Sequence, residues 1–352
     1  MRKRILSFFF CTMCLLAPAA QSQDRCKHPG VTVKVMTRNM YPGADLGVIA
    51  GVDADNLEEV VQTTMESVIR SRIPKRAAQI AAEIAENKPD LVALQEATTW
   101  GFKSAHGWTE LDQLDSLMDS LRKEGEHYKV AVVQTLTDFR VPDLISYTDH
   151  DVILVRASLM LRVVATETHD FDTLLHFPGP DGEIPVLRGW MAAEIIKNEC
   201  RFKFANTHLE APLEGIPETQ DLQLAQAFQL VNDLSATHQP VILAGDFNSD
   251  AEPTQGYPPD ETGSYALILQ SGYTDAWRDV HANDPVYDYG YTWPLFWEGT
   301  GEVANPIERI DLVFLRGLKA VSMSRIGASS TRGLFASDHA GMVAVIQCVN
   351  SF

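Results

Sequence analysis

Positive charge is scarce in this sequence beside its negative charge. Its 352 residues carry 29 lysines and arginines against 47 aspartates and glutamates, a formal charge of −18. A chain this acidic does not hold polyanions by bulk attraction, so any such contact has to be local or bridged by a metal. The sign does not exclude phosphoester chemistry, because a divalent cation can reverse the field at one site. Cysteine is sparse too: there are five, and Cys11 and Cys14 fall inside the first apolar stretch. That excludes a small scaffold built on disulfides. No repeat of fixed period and no long low-complexity tract is present, so a solenoid is excluded. Long apolar runs are missing as well. The one at residues 5–16 is too short to span a bilayer.

That run has another reading. Arg2, Lys3 and Arg4 precede it, and Ala17-Pro18-Ala19 and Ala20-Gln21-Ser22 follow with small residues. Residues 1–22 are therefore expected to be a cleaved secretory signal, residues 23–352 a single domain, and the protein secreted or periplasmic. Loss of the three basic residues takes the charge from −18 to −21. Export permits a disulfide among Cys26, Cys200 and Cys348. Cys26 precedes the first expected strand and Cys348 ends the last. If those strands are adjacent and antiparallel, the two sulfurs meet and Cys200 is left over. Three unlinked thiols is the alternative of nearly equal weight.

The rest of the chain has a globular composition, with 45% hydrophobic and 22% charged residues, and is long enough for a large core. Alternating or fully apolar runs predict strands over 31–37, 91–94, 130–136, 152–155, 161–168, 189–197, 202–207, 241–244, 310–315 and 341–347. Helical periodicity predicts helices over 57–70, 76–87, 111–123 and 217–234, the last with Leu224, Phe228 and Val231 inward. Residues 250–305 are loop-rich and aromatic. Many strands with a few helices between them imply two sheets packed face to face with helices outside.

Several strand ends carry chemistry. Asn39 follows the first strand, Gln95-Glu96 the second, and Thr207-His208 a later one. Leu243-Ala-Gly-Asp246-Phe-Asn248, Arg309-Ile-Asp311 and Ser337-Asp338-His339 complete the set. Taken singly, each has a structural reading: a solvated strand end for Glu96, a turn residue for Asn39, an Asx turn around Asp246. Asp311 is harder to read that way. A carboxylate inside Ile310-Asp311-Leu-Val-Phe needs a partner, and His339 is the evident one. Convergence of strand ends on one cleft is how metal-assisted phosphoester sites are commonly built. Glu96, Asp246, Asp311 and His339 are therefore expected in one cleft.

These motifs, in this order and over about residues 31–347, resemble those of the endonuclease/exonuclease/phosphatase superfamily. The resemblance implies an α+β fold, a four-layer α-β-β-α sandwich of two mixed sheets flanked by helices. It implies a metal-dependent phosphoric ester hydrolase that uses Mg²⁺ or Mn²⁺. Glu96 would bind the metal with Asn39 and Asp338 close by. Asp246 would orient or deprotonate the attacking water, and Asn248 would donate to a phosphate oxygen. His339, held by Asp311, would be a general base or a phosphate-binding imidazolium. His208 would contact the phosphate or protonate the leaving group. The chain departs from many relatives at Arg38, which precedes the asparagine, and in a longer spacing around Tyr147 and His150.

Arg188 and Tyr147 are candidate substrate contacts, with a surface salt bridge the competing reading for Arg188. Trp293, in Tyr291-Thr-Trp293-Pro-Leu-Phe296-Trp297, is a third. Such a cluster stacks on bases, sits at a lipid interface, or packs under its own loop. The expected partner is thus a phosphodiester, in nucleic acid or a phospholipid head group, and the expected state a monomer with no transmembrane anchor. A phosphomonoesterase would want a basic pocket, and no Lys/Arg cluster adjoins the motifs. A non-catalytic binding module should have lost a ligand or one member of the His–Asp pair, and the set is complete.

Overall fold

The computed structural model describes residues 30–45, 56–105, 107–158, 160–179, 182–198, 200–213, 215–252, 263–284, 286–297 and 302–348. The expected leader and Cys26 lie outside them. In chain order the elements are β1 (Thr32–Asn39), α1 (Leu57–Ser71), α2 (Ile73–Asn87), β2 (Leu91–Gln95), β3 (Thr99–Ser104), β4 (Gly107–Asp112), α3 (Gln113–Lys123), β5 (Tyr128–Val141), β6 (Ile145–Arg156) and β7 (Leu161–Asp170). There follow β8 (Leu175–Gly179), β9 (Gly182–Val186), β10 (Gly189–Lys197), β11 (Cys200–His208), α4 (Glu218–Ser235), β12 (Val241–Asp246) and α5 (Gly263–Gln270). The chain ends with β13 (Thr274–Asp275), α6 (Ala276–His281), β14 (Asp311–Arg316), β15 (Leu318–Ile326) and β16 (Gly341–Cys348). No described helix is long and apolar enough to cross a membrane.

Two mixed sheets form the middle layers. One has the order β15-β16-β1-β2-β6-β3-β4, with β5 also on β6; the other runs β13-β14-β12-β11-β10-β7. Between them lies a core of inward residues such as Val35, Ala93 and Ile153 from the first sheet and Phe204, Ala244 and Val313 from the second. The opposite faces carry helices. Met36, Val92 and Leu154 pack under Ile80, Ile84 and Leu117 of α2 and α3. Leu243, Phe314 and Ala205 pack under Ala227, Leu230 and Leu234 of α4 and Ile268 of α5. The four-layer α-β-β-α sandwich expected from the resemblance is what forms.

Period-two alternation explains where the site is. The inward column of each central strand is apolar along most of its length and turns polar at one end. On β1 it reads Val33, Val35, Thr37, Asn39; on β11, Phe202, Phe204, Asn206, His208; on β12, Ile242, Ala244, Asp246. Register aligns these ends. Asn39 pairs with Gln95, Gly189 with His208, His208 with Asp246, and Asp246 with Asp311. Just below the end, Gln95 Nε2 donates to Asn206 Oδ1 at 2.6 Å, and Asn206 Nδ2 donates to the carbonyls of Leu94 and Val152. This satisfied polar link between the sheets underlies the cleft.

Several expectations need correcting. Cys348 pairs with Cys200, not Cys26, with Cα atoms 6.7 Å apart. The strand adjacency was sound, since Thr32 pairs with Gln347 across β1 and β16. But Cys348 belongs to the inward column, and what faces it across the sandwich is Cys200 at the start of β11. On α4, Leu224 and Phe228 are 42% and 62% exposed; the buried face is Gln223, Gln226, Ala227, Leu230, Val231 and Leu234. Two glutamines occupy inward positions because they bond the carbonyls of Glu210, Asn248 and Thr173. The third helix starts at Gln113 with Asp112 as its cap, so Leu111 and Asp112 belong to β4. β6 begins at Ile145, well before 152, and within residues 250–305 α5, α6 and β13 form.

Candidate active site

Asp246 is the hub. It ends β12, where Gly245 has φ 155° and lies against β11 so closely that a Cβ would meet the Thr207 carbonyl oxygen at 2.1 Å. Only glycine permits that approach. The carboxylate accepts from Asn39 Nδ2 at 3.0 Å and from the Asn248 backbone N–H at 3.0 Å. His208 Nε2 and His339 Nδ1 each lie 3.7 Å from its Oδ2. Asn39 is oriented for this by the Tyr41 N–H, which donates to its Oδ1 at 2.8 Å. Burial raises the Asp246 carboxyl to about 6, against the opposing pull of His339.

The expected His–Asp pair is present. His339 Nδ1 lies 2.9 Å from Asp311 Oδ2, both buried, which leaves Nε2 for a ligand. Thr292 Oγ1 accepts from the backbone N–H groups of Ile310 and Asp311 and so fixes the start of β14. The aromatic loop thereby ties the motifs together, since Leu295 N–H also donates to the Asp338 carbonyl. Trp293 is part-buried, its ring centroid 6.4 Å from that of His339.

The two histidines are driven apart. Burial alone would lower His339, but Asp311, Asp338 and Asp246 overcome it and hold its pKa well above the usual value. His208 is held well below, by burial and by the charges of Arg188 and His339. Arg188 Nη1 lies 2.8 Å from His208 Nδ1, and its Nη2 lies 3.5 Å from Glu210 Oε1. The two rings are thus pushed in opposite directions, His339 toward the imidazolium and His208 toward the neutral imidazole.

Glu96 is half-buried in a left-handed conformation, φ 56°, as is Asn248 at φ 48°. Such strain persists where the surroundings over-determine the backbone. Withdrawal from solvent and the charges of Asp338 and Asp149 push the Glu96 carboxyl well above its usual range. The Asn248 side chain donates to the Leu209 carbonyl.

Three acids that the sequence reading did not single out join the cleft. Asp149 and Asp151 lie on the inward column of β6 with Tyr147, and Glu210 follows β11. Burial raises Asp149 to about 6, and burial and then Asp149 push Asp151 well above its usual range, with Arg188 opposing in both cases. Arg188 itself is held above its usual value: burial opposes this, and Glu210, Asp149, Glu96 and Asp151 prevail. Tyr147 is buried, packed on Trp100 and Phe139, its hydroxyl raised by burial and then by Asp149. His150 projects from the other face of β6 and meets Thr135. Reading Tyr147-Thr-Asp149-His150-Asp151 with a period of two would have found both acids.

This donor set fits a hard divalent cation. Glu96, Asp338 and the Asn39 carboxamide offer oxygens, and burial and then the Asp338 charge push Glu96 up, a repulsion that a cation would relieve. Asp246, Asp311 and His339 also bring one ligand atom each within 4.8 Å of one another. In that group His339 Nδ1 is already engaged by Asp311, so an ion pair accounts for its closeness.

Comparisons with known proteins agree with this architecture. Solved structures of the same fold include an endonuclease/exonuclease/phosphatase family protein from Bacteroides thetaiotaomicron, 17% identical with TM-score 0.57 over 92% of this chain and 100% of that one. Another is the endonuclease/exonuclease/phosphatase from Beutenbergia cavernae, 22% identical with TM-score 0.56 over 90% and 72%. A third is D. rerio TDP2 complexed with single strand DNA product, 18% identical with TM-score 0.53 over 91% and 99%. No curated protein matches the chain. The profile of the Endonuclease/Exonuclease/phosphatase family matches residues 69–339, most of the chain, and with the site above it places this protein in that family, as a metal-dependent phosphoric ester hydrolase.

Proposed function

We propose that this chain is a secreted, Mg²⁺- or Mn²⁺-dependent phosphodiesterase that cleaves by in-line attack of water, on nucleic acid or on a phospholipid head group. The observation that carries the reading is the Asp246 carboxylate, held by Asn39 and flanked at 3.7 Å by two histidines whose pKa values are pushed in opposite directions. Raised to about 6, Asp246 is mostly ionised at neutral pH yet basic enough to take a proton from water. His339, kept cationic by Asp311, presents Nε2 to a phosphate oxygen. His208, neutral beside Arg188, is suited to donate a hydrogen bond rather than release a proton. Asn248 helps to fix Asp246 through its backbone N–H. A divalent cation held by Glu96, Asp338 and Asn39 would polarise the phosphate and stabilise charge on the departing oxygen.

The charge count favours a diester over a monoester. Arg188 lies in the field of four carboxylates, Arg38 is paired with Glu83 and bonds the His339 carbonyl, and Arg76 is turned to backbone carbonyls around the site. A diester carries a single negative charge, and a monoester dianion would meet too little positive charge here. Trp293 beside His339 suits a flat or apolar group next to the phosphate. In one solved relative of the same fold, TDP2 from D. rerio, the bound molecule is single-stranded DNA product. Secretion is supported by the leader pattern of residues 1–22 and by the Cys200–Cys348 disulfide, which suits an oxidising compartment.

The test is a substrate panel on the purified mature protein with and without chelator: single- and double-stranded DNA, RNA, sphingomyelin, an inositol phosphate and a chromogenic diester. Metal-dependent cleavage of a diester is expected. Release of phosphate from the monoester alone would overturn the reading.

A further inference from the structure

Arg76 lies in the first turns of α2, outside every motif above, and it is buried. All five of its N–H donors are engaged. Nη1 donates to the Met40 carbonyl at 2.6 Å and the Ala336 carbonyl at 3.4 Å. Nη2 donates to the Tyr41 carbonyl at 3.1 Å and to Ser71 Oγ at 3.5 Å, and Nε to the Ser71 carbonyl at 2.9 Å. A guanidinium has five donors in a fixed fork, so none remains for a carboxylate. Burying a cation on neutral partners alone is costly. Burial lowers its pKa to about 10, and Tyr41, Asp338 and Glu96, all within electrostatic reach, counter that only in part.

The carbonyls it holds matter. Met40 and Tyr41 directly follow Asn39, and Ala336 directly precedes Ser337-Asp338-His339. Tyr41 sits at φ 63°, a left-handed conformation that a bulky residue keeps only when held there. Its N–H is what orients the Asn39 carboxamide. Gln113 Nε2 donates to the same Tyr41 carbonyl at 2.8 Å. One side chain therefore bridges the two loops that carry Asn39 and Asp338.

We propose that Arg76 is a positioning residue for the metal: it sets the spacing of the Asn39 loop and the Asp338 loop, and Gln113 assists on the Asn39 side. The inference rests on the metal assignment under the proposed function. Charge alone argues the other way, because a cation behind the ligands weakens attraction for a second cation. If charge were the main effect, a lysine would behave like wild type. If the fork is the main effect, lysine fails, because its compact ammonium cannot span three carbonyls on two loops.

The experiment measures Mn²⁺ binding by calorimetry, without substrate, on wild type, Arg76→Lys and Arg316→Lys, with melting temperatures alongside. Arg316 is the control: it also holds two carbonyls, those of Leu234 and Thr237, but at the C-terminal end of α4 and away from the site. Both substitutions are expected to lower the melting temperature. Only Arg76→Lys should raise the Mn²⁺ Kd, by about tenfold, the scale seen when groups that orient metal ligands are lost. An unchanged Kd in folded Arg76→Lys overturns the inference. If that variant does not fold, Gln113→Met takes its place, with a smaller rise expected and an unchanged Kd again overturning it. Wild type that binds no Mn²⁺ overturns the metal assignment itself, and this inference with it.

Discussion

Asp246 and Asp311 stand directly opposite each other across the β12–β14 ladder, and His339 Nδ1 lies 3.7 Å from the first and 2.9 Å from the second. Like charges at one register position of an antiparallel pair are normally destabilising. Here the His339 imidazole lies against both, and against the cost of burial the charges of Asp311, Asp338 and Asp246 raise its pKa. Asp311 Oδ1 is buried without a protein partner, a sign that this strand position serves more than packing.

Replacing Glu96 by glutamine should raise the metal concentration needed for half-maximal turnover while leaving the metal-free fold intact. The carboxyl is held well above its usual range by its withdrawal from solvent and by Asp338 and Asp149, so neutralising it relieves repulsion. Calorimetry in chelator should give a melting temperature no lower than wild type. Added Mn²⁺ should then stabilise wild type more than the variant, as linkage requires of a weaker ligand set. Equal stabilisation of both would remove Glu96 from the metal.

The disulfide joins the two sheets at the end of the sandwich opposite the site. Cys200 opens β11, whose other end is His208, and Cys348 closes β16, which begins just after His339. Cys200→Ala with Cys348→Ala should cost about 2–5 kcal/mol in denaturant unfolding. Turnover per folded molecule should not change. A large loss of turnover at full folding would mean that strand placement at the site depends on the bridge.

On α4, Phe228→Ser and Leu230→Ala should differ sharply although they are two residues apart. Phe228 is 62% exposed and its substitution should stay within about 0.5 kcal/mol. Leu230 is buried against β12 and β14, and its truncation should cost about 2–5 kcal/mol. Urea midpoints on the two variants decide this; a large loss in Phe228→Ser would mean that a contact covers that face.

The central strands and the gathering of the motif residues at their ends were legible for one reason: those strands are buried on both sides and end in polar residues, so periodicity and motif coincide at the same positions. What was illegible depended on facing. Gln223 and Gln226 look solvent-exposed in sequence, yet they satisfy carbonyls under α4, which rotates Leu224 and Phe228 outward. Cys348 was correctly placed beside β1, but the face it presents is set by its register with β1, which a single sequence does not show. Asp149 and Asp151 were hidden because a strand with alternating acids reads as a loop until Arg188 and the site supply their counter-charge.

The mutual dependence of Asp311 and His339 gives the sharpest test of the mechanism. Asp311→Asn keeps a group of the same shape that can still hydrogen-bond Nδ1, so the fold should survive. It removes the charge that chiefly holds His339 as an imidazolium against the cost of burial. A comparable change in serine hydrolases costs on the order of 10⁴-fold in turnover, an upper guide here because a metal shares the stabilisation. His339→Ala should cost at least as much, since both the cation and its N–H are lost. The double variant should be little slower than His339→Ala alone, because without the imidazole Asp311 has nothing to polarise. Steady-state rates on one accepted diester close the cycle. Losses that multiply as independent factors would show that the two do not act as a unit, and would return Asp311 to the role of a paired core acid.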